Sequence, residues 1–366
     1  MSSHHPDEGQ LRRWAAAVRS WGLLGAVALR AHWRYRRASP TANGSTEGAL
    51  KPDIVYLWHD PSDPDWVRRR NATLRLLRDD PTYAGLGPVE PAITLDELRY
   101  SLRSLERYFP DHGTVYIVVD GQVPIWLNSI RDDLRLVDHT EIFDDQRFLP
   151  TFSSEAIESY LHRIDGLSER FIYFNDDVLL RAPARLRDFF TEDGHPRYRL
   201  GRALSHDGPV ALDTDPVKAA HANSNSALDH RYRTERRLTL MHRPLPLLKS
   251  HLDATEGAFP HEFRTSRAGQ FRSSRMHALL FRLVPFRAAY ENEAQLVPPS
   301  LFEKDMYYWT NDSRSNQSTA QRVEAGRGFG YCIQEDLSIT LSTPAADAFR
   351  KWMERSYPAK SRFETD

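Results

Sequence analysis

From residue 53 onward the chain alternates short apolar runs with amphipathic stretches. Ile54-Val55-Tyr56-Leu57-Trp58 is stopped by His59-Asp60-Pro61-Ser62-Asp63-Pro64, the pattern of a buried strand entering a proline-locked loop. Leu95, Leu98, Leu102 and Leu105 recur at intervals of three and four, which predicts an amphipathic helix over 95–108. Thr94 stands as its N-cap, with Glu97 three residues on at capping-box spacing. Next come a strand over Val115-Tyr116-Ile117-Val118-Val119, a turn at Asp120-Gly121-Gln122 and a short strand near Leu136-Val137. A helix around 153–164 leads to a strand at Phe171-Ile172-Tyr173-Phe174, which runs into Asn175-Asp176-Asp177. A last strand, Gly330-Tyr331-Cys332-Ile333, precedes a helix from about 344 to 355.

Continuous apolar strands between amphipathic helices predict an α/β fold built on a largely parallel sheet with helices on both faces. Such sheets take ligands at the carboxyl ends of their strands. Two of those ends carry acid-rich loops here, one with Asp60 and Asp63, the other with Asp176 and Asp177. Residues 182–275 are richer in arginine and histidine with weaker strand signals, and read as an insertion or lid completing the site. The catalytic domain is therefore placed at 53–366, behind a polar, turn-rich linker over 38–52.

The N-terminal stretch has a different character. Residues 11–37 carry Arg12, Arg13, Arg19, Arg30, Arg34, Arg36 and Arg37 and no acid. The uncharged run from Ser20 to Leu29 is about half of what a membrane-spanning helix requires, and Arg30 follows it directly in place of a signal-peptide cleavage site. Two readings stand: a basic amphipathic helix on the protein surface, or one lying at an anionic membrane face with Trp14, Trp21 and Trp33 as interfacial anchors.

Composition narrows the class. A hydrophobic fraction of 40% suffices for an enzyme-sized core and excludes disorder of the whole chain. Lys+Arg 49 against Asp+Glu 50 gives no global argument for a nucleic-acid partner. The single cysteine, Cys332, excludes an intramolecular disulfide and fits a cytoplasmic protein. It reads as a buried, inert thiol.

Asn175-Asp176-Asp177 is the sharpest chemical feature. Side chains alternate along a strand, so both aspartates serve one site only if the chain leaves the sheet there. One would then ligate a hard cation such as Mg²⁺ while its neighbour orients that ligand or binds a sugar; ordinary loop or capping residues are the alternative. Arg272, in Gln270-Phe271-Arg272-Ser273-Ser274, has the fork that clasps phosphate. His242 is suited to deprotonate a hydroxyl, although spacing alone does not select it over His230 or His251. Glu158 lies one helical turn before His162, which also describes a solvated surface pair. Glu335-Asp336 is either a further acid cluster or a plain turn.

These blocks, taken in order, resemble the Stealth proteins. Residues 54–64 resemble their first conserved region. The second is closer, from Glu97-Leu98-Arg99-Tyr100-Ser101-Leu102-Arg103-Ser104 through Asp120-Gly121-Gln122-Val123-Pro124, Leu149-Pro150-Thr151-Phe152-Ser153-Ser154 and Ala156-Ile157-Glu158 to Phe171–Asp177. The third runs from His242-Arg243-Pro244 through Phe259-Pro260-His261-Glu262-Phe263 to Arg272, and the fourth is Tyr331-Cys332-Ile333-Gln334-Glu335-Asp336. Four blocks in register over 53–364 are far more specific than one motif.

The family includes bacterial capsule polymerases and the catalytic core of the lysosomal-enzyme N-acetylglucosamine-1-phosphotransferase. The resemblance implies a Rossmann-like, GT-A-like core that takes a UDP-sugar and a divalent metal, Mg²⁺ or Mn²⁺. It implies transfer of a hexose- or N-acetylhexosamine-1-phosphate to a glycan acceptor, with release of UMP. Glu158, Asp177, His242 and Arg272 fall on the family's essential positions. The implied roles are metal for Asp177, with Asp176 and Glu335 beside it, phosphate for Arg272, and general base for His242. Glu158 positions the donor or shares the base role. Asp60, Ser62, Asp63, Asn175, Asn225 and Gln334 are the implied donor contacts.

Two departures bear on this. Pro61 stands where the family has glycine and removes a backbone N–H. Gln334-Glu335 replaces Asn-Asp, each side chain one methylene longer. The rival functions are a metal-dependent glycosyltransferase releasing UDP, and a carbohydrate-binding relative without activity.

Overall fold

A computed structural model describes residues 51–92, 94–299, 306–309, 328–333 and 343–365 of the chain. The expected N-terminal helix over 11–37, all but the end of the linker, and Gln334 and Glu335 lie outside the described residues. The first half of the chain contributes β1 (Asp53–Leu57), α1 (Pro64–Leu76), α2 (Glu97–Tyr108), β2 (Val115–Val119), β3 (Leu134–Asp138), α3 (His139–Ile142), α4 (Ser154–Glu158), β4 (Arg170–Asn175) and β5 (Val178–Leu180). The second half contributes α5 (Leu186–Phe189), β6 (Arg197–Leu204), α6 (Pro216–Arg231), β7 (Leu238–Leu240), β8 (Leu245–Leu248), α7 (Lys249–Ala258) and α8 (Pro260–Arg267). A π-helical turn at Leu279–Leu283 leads into α9 (Val284–Tyr290), followed by β9 (Gln295–Val297), β10 (Met306–Trp309), β11 (Gly330–Ile333) and α10 (Thr343–Ser356).

The central sheet has the order β3-β2-β1-β4-β8. Its first four strands are mutually parallel, and β8 closes one edge antiparallel to β4. The architecture is the expected α/β one. Because side chains alternate along a strand, β1 feeds two cores. Ile54 and Tyr56 face Leu98, Leu102 and Leu105 of α2 and Trp352 and Met353 of α10. Val55 faces Leu252 of α7, Phe263 of α8 and Val284 and Phe286 of α9. Burying both faces explains why these strands read as unbroken apolar runs.

Two smaller sheets flank the first, in the orders β10-β11-β5 and β7-β6-β9. The arginine- and histidine-rich stretch 182–275 supplies β6 and β7 to one of them, and through β8 it also enters the central sheet.

Two local expectations are corrected. The capping box at Thr94 does not form. Helix α2 starts two residues later than that box requires, behind Asp96 in the left-handed conformation (φ 59°), and the Thr94 hydroxyl oxygen instead accepts the Asp96 N–H at 3.1 Å. The helix expected over 153–164 is split into α4 and a 3₁₀ turn at Leu161–Arg163. Packing sets the break. Tyr160, Leu161 and Ile164 all enter the second core, the Ser159 hydroxyl donates back to the Ala156 carbonyl at 2.6 Å, and Arg267 donates to the Ser159 carbonyl at 3.0 Å.

The C-terminal segment returns to α2 through a buried ion pair. The Arg103 guanidinium meets Glu364 with two hydrogen bonds, at 2.7 and 2.8 Å, and Arg99 donates to the same carboxylate at 2.6 Å. The Glu364 side chain has no exposed surface. Burial alone would raise its pKa, but hydrogen bonds from Arg103, the Ser361 N–H and Arg99 outweigh that and bring it down to about 2. A carboxylate depressed in the folded state stabilises above its unfolded value of about 4.3 and loses that contribution as pH falls toward the folded value. Glu364→Gln is expected to cost about 3–5 kcal/mol at neutral pH, the scale for breaking one side of a buried pair. Denaturant titration should show the gap from wild type narrowing between pH 4.5 and pH 2; an unchanged midpoint at pH 7 would refute the role given to this pair.

Candidate active site

The site starts from the strand register. Leu57 of β1 lies opposite Asn175 of β4, so the loop at Asp60 and the turn at Asp176–Asp177 leave the sheet side by side at its carboxyl edge. The first loop is rigid. Asp60 Oδ1 accepts from both the N–H and the hydroxyl of Ser62, at 2.8 and 2.5 Å. Asp63 caps α1 by accepting the Asp65 N–H at 2.8 Å, and its other oxygen accepts from Gln122 Nε2, also at 2.8 Å. Gln122 Oε1 takes the Asp60 N–H at 2.9 Å and ties the loop to the turn after β2. Asp60, Ser62 and Asp63, the residues expected to contact the donor, have side chains engaged in holding the loop's shape.

The chain does leave the sheet at the acidic pair. Strand β4 ends at Asn175, Asp176 and Asp177 form a turn, and β5 begins at Val178 in the β10-β11-β5 sheet. Strand β11 pairs antiparallel with β5, placing Cys332 opposite Val178, and the Ile333 N–H donates to the Asp177 carbonyl at 2.9 Å. The fully buried Cys332 thiol thereby lies 3.2 Å from Asp177 Oδ2 and 3.9 Å from His242 Nδ1. His242 follows β7, with its ring edge-on to Phe281 at 5.7 Å; Phe281 in turn meets Tyr173 of β4 at 6.3 Å. The π-helical turn thus wedges one aromatic ring between the histidine and the sheet.

Arg272 arrives from the opposite side. Residues 150–152 and 269–271 are tied together by the Phe152 N–H on the Gln270 carbonyl at 2.7 Å and by stacking of Phe152 on Phe271 at 5.2 Å. Next to that junction Arg272 donates to the Ser154 hydroxyl at 2.6 Å and pairs with Glu155 at 3.3 Å. Its side chain is still 52% exposed, so the guanidinium is available to an anion in the cleft.

Glu158, on α4, is buried, and its Oε1 accepts the Tyr173 hydroxyl at 3.1 Å. It makes no surface pair with His162, which turns instead to Glu256 at 3.2 Å and Asp253 at 3.4 Å.

Electrostatics joins these groups into one site. Burial raises the Asp177 carboxyl, while His242, the Cys332 thiol and Arg272 pull it down. The Asp176 charge reaches both Tyr173 and Cys332. Glu158 is pushed up to about 8 by burial and by the Glu155 charge, against the Tyr173 hydrogen bond and Arg272. Glu158 therefore favours its protonated form at neutral pH. Cys332 touches both Asp177 and His242, the Arg272 charge acts on Asp177 and on Glu158, and Glu158 is bound to Tyr173 of β4.

Asn225 stands apart. Its amide donates to the Ser205 hydroxyl and the His206 carbonyl, each at 3.0 Å, and no described hydrogen bond links it to this group. Tyr173, Glu155, Phe281 and the direct contact of Cys332 were not singled out from the sequence. Tyr173 stood inside the quoted Phe171–Asp177 block, and the spacing of Glu155 and Glu158, three apart on one helix face, is a signal that could have pointed to Glu155.

Asp177 Oδ1 is buried with no hydrogen-bond partner among the described residues, an oxygen that a hard cation would satisfy. Asp177, His242 and Cys332 also bring one ligand atom each within 4.8 Å of one another, a mixed oxygen, nitrogen and sulfur set.

Comparisons with known proteins converge on one family. Residues 92–198 match Stealth protein CR2, conserved region 2. An exopolysaccharide phosphotransferase of Streptomyces coelicolor is 41% identical over 223 residues, 61% of this chain and 36% of that one. A second from the same organism is 34% identical over 272 residues, 71% of this chain and 50% of that one. A capsular polysaccharide phosphotransferase of Haemophilus influenzae is 30% identical over 297 residues, 78% of each chain. The chain spans half or less of the length of the two Streptomyces relatives.

The Glu158 shift gives a stability test. A carboxyl raised in the folded state contributes fully below its unfolded value of about 4.3, and that contribution is lost as pH rises toward the folded value. Glu158→Gln, which stays neutral, should therefore be more thermostable than wild type at pH 8, with the difference closing as pH falls to 4.5. Melting curves at those pH values check this, and a gap independent of pH would show that Glu158 does not bind a proton in the folded protein.

Proposed function

The chain belongs to the Stealth family, and from that premise we propose that it transfers a sugar-1-phosphate from a UDP-sugar to a glycan hydroxyl. The supporting observation is that Cys332 brings Asp177 and His242 together just past the carboxyl end of β4 and that the Arg272 charge acts on the same Asp177, the three residues coming from separate stretches of chain. The polysaccharide phosphotransferases it resembles support the same class of reaction.

In this reading the acceptor oxygen attacks the β-phosphorus in line with the bridging oxygen. The new P–O bond forms as the bond to the α-phosphate breaks, and UMP leaves. His242 takes the acceptor's proton, since its Nε2 has no hydrogen-bond partner among the described residues. Arg272, fixed by Ser154 and Glu155, clasps the diphosphate and stabilises charge on the transferring group. Glu158, protonated and held by Tyr173, donates a hydrogen bond to the donor rather than acting as a base. Asp177, with Asp176 beside it, would hold Mg²⁺ or Mn²⁺, which when bound neutralises charge on the leaving phosphate. The rigid 60–63 loop presents backbone to the nucleotide, with Asp60 and Asp63 as its internal braces. Acceptor and donor meet largely by positioning, as in other phosphoryl transfers.

Purified protein incubated with a panel of UDP-sugars, Mg²⁺ and an acceptor glycan should release UMP; release of UDP would mark attack at the anomeric carbon and a glycosyltransferase. Asp177→Asn, His242→Ala and Arg272→Ala should each lower transfer by about 10²–10⁴-fold while circular dichroism stays that of wild type. Near-normal turnover in folded His242→Ala would remove the histidine from the mechanism.

A further inference from the structure

The donor set around Asp177 suits a different metal from the one the transfer would use. Mg²⁺ takes oxygen ligands in octahedral geometry and keeps several waters. Grouped with Asp177 are an imidazole and a thiol, which favour Zn²⁺. Zinc bonds of about 2.0–2.3 Å at tetrahedral angles put neighbouring ligand atoms roughly 3.5 Å apart. Cys332 Sγ to Asp177 Oδ2, at 3.2 Å, and Cys332 Sγ to His242 Nδ1, at 3.9 Å, bracket that spacing. All three ligand atoms fall within 4.8 Å of one another, so an ion among them needs only small side-chain movements.

The scaffold is fixed before any ion arrives. The β5–β11 register and the Ile333-to-Asp177 backbone bond hold the thiol against the carboxylate, and Phe281 braces the imidazole. Three protein ligands leave a fourth tetrahedral position open, the form of a site that still accepts a water or a phosphate oxygen.

We propose that Asp177, His242 and Cys332 form a zinc-binding site inside the cleft, and that zinc bound there blocks transfer. Binding replaces the S–H bond of Cys332 with a Zn–S bond, and the proton goes to solvent. Ligation through His242 Nδ1 keeps the ring proton on Nε2, which then cannot take the acceptor's proton, and the Asp177 carboxylate is no longer available to Mg²⁺. The blocking half of the proposal rests on the function proposed above; the binding half does not.

The full chain should take up zinc stoichiometrically in equilibrium dialysis. Co²⁺ in its place should give the near-ultraviolet thiolate-to-cobalt absorption. Cys332→Ser, checked for fold by circular dichroism, should weaken zinc binding by at least about 100-fold, more than loss of an outer-shell partner costs, and abolish the cobalt band. Cys332→Ala serves as a second variant should the serine disturb the carboxylate. Zinc uptake unchanged in both variants, or cobalt bound to wild type without a thiolate band, overturns the site. In parallel, UMP release by wild type with Mg²⁺ is measured before and after adding zinc. Release that zinc leaves untouched overturns the blocking. Absence of release before zinc is added defeats the transferase reading while leaving the binding result to stand.

Discussion

The site depends on a two-residue turn between two sheets. Strand β4 is locked into the central sheet by parallel pairing with β1 and antiparallel pairing with β8, and β5 is locked into another sheet by β11. Asp176 and Asp177 are all that lies between them. A strand would send successive side chains to opposite faces, whereas at this turn both acids act on Cys332 through their charge. The same anchoring brings Cys332 against Asp177, because the strand that holds β5 in place carries the thiol. Fold and site are thus one constraint: the register that stabilises the second sheet also sets the distance from thiol to carboxylate.

Around that turn the protein separates carboxyls by environment. Glu158, buried and repelled by the Glu155 charge, is pushed toward its protonated form against the Tyr173 hydrogen bond and the Arg272 charge. Asp177 is also raised by burial, but it has His242, a thiol donor and Arg272 working in the opposite direction. Glu364, far from the cleft, goes the other way under two arginines and serves only to hold the C-terminal segment. Acids of similar intrinsic strength thereby take three roles: a proton-holding hydrogen-bond donor, a candidate ligand and a structural anchor. Arg272 links the first two, since its charge is felt by both.

Much of this was legible in the sequence, for identifiable reasons. Strands buried on both faces leave continuous apolar runs, so Val115–Val119 and Gly330–Ile333 match their predicted limits and β1 and β4 differ by a residue or so. The acidic turn was visible because it interrupts such a run. Stretches governed by tertiary packing were less visible. Helix 153–164 has a helical period, yet Tyr160, Leu161 and Ile164 are drawn into a core formed by distant segments and the helix breaks. Thr94 has capping chemistry, but the left-handed Asp96 moves the helix start beyond its reach. Cys332 was read as buried and inert, and buried it is; nothing local indicates that its strand passes Asp177, which lies 155 residues away. Convergence of Arg272 and His242 on that turn came from family resemblance, since one histidine among 15 carries no mark of its own.

The most direct test of the account is a crystal structure of the protein with an intact UDP-sugar analogue and Mg²⁺. The account predicts the diphosphate in the cleft between β1 and β4, with Arg272 within about 3 Å of a phosphate oxygen and with Asp177 and His242 flanking the β-phosphorus. A diphosphate bound elsewhere would contradict it, for instance in the cleft of about 620 Å³ lined by Asn223, His230, Arg231, Phe259, Glu262 and His277.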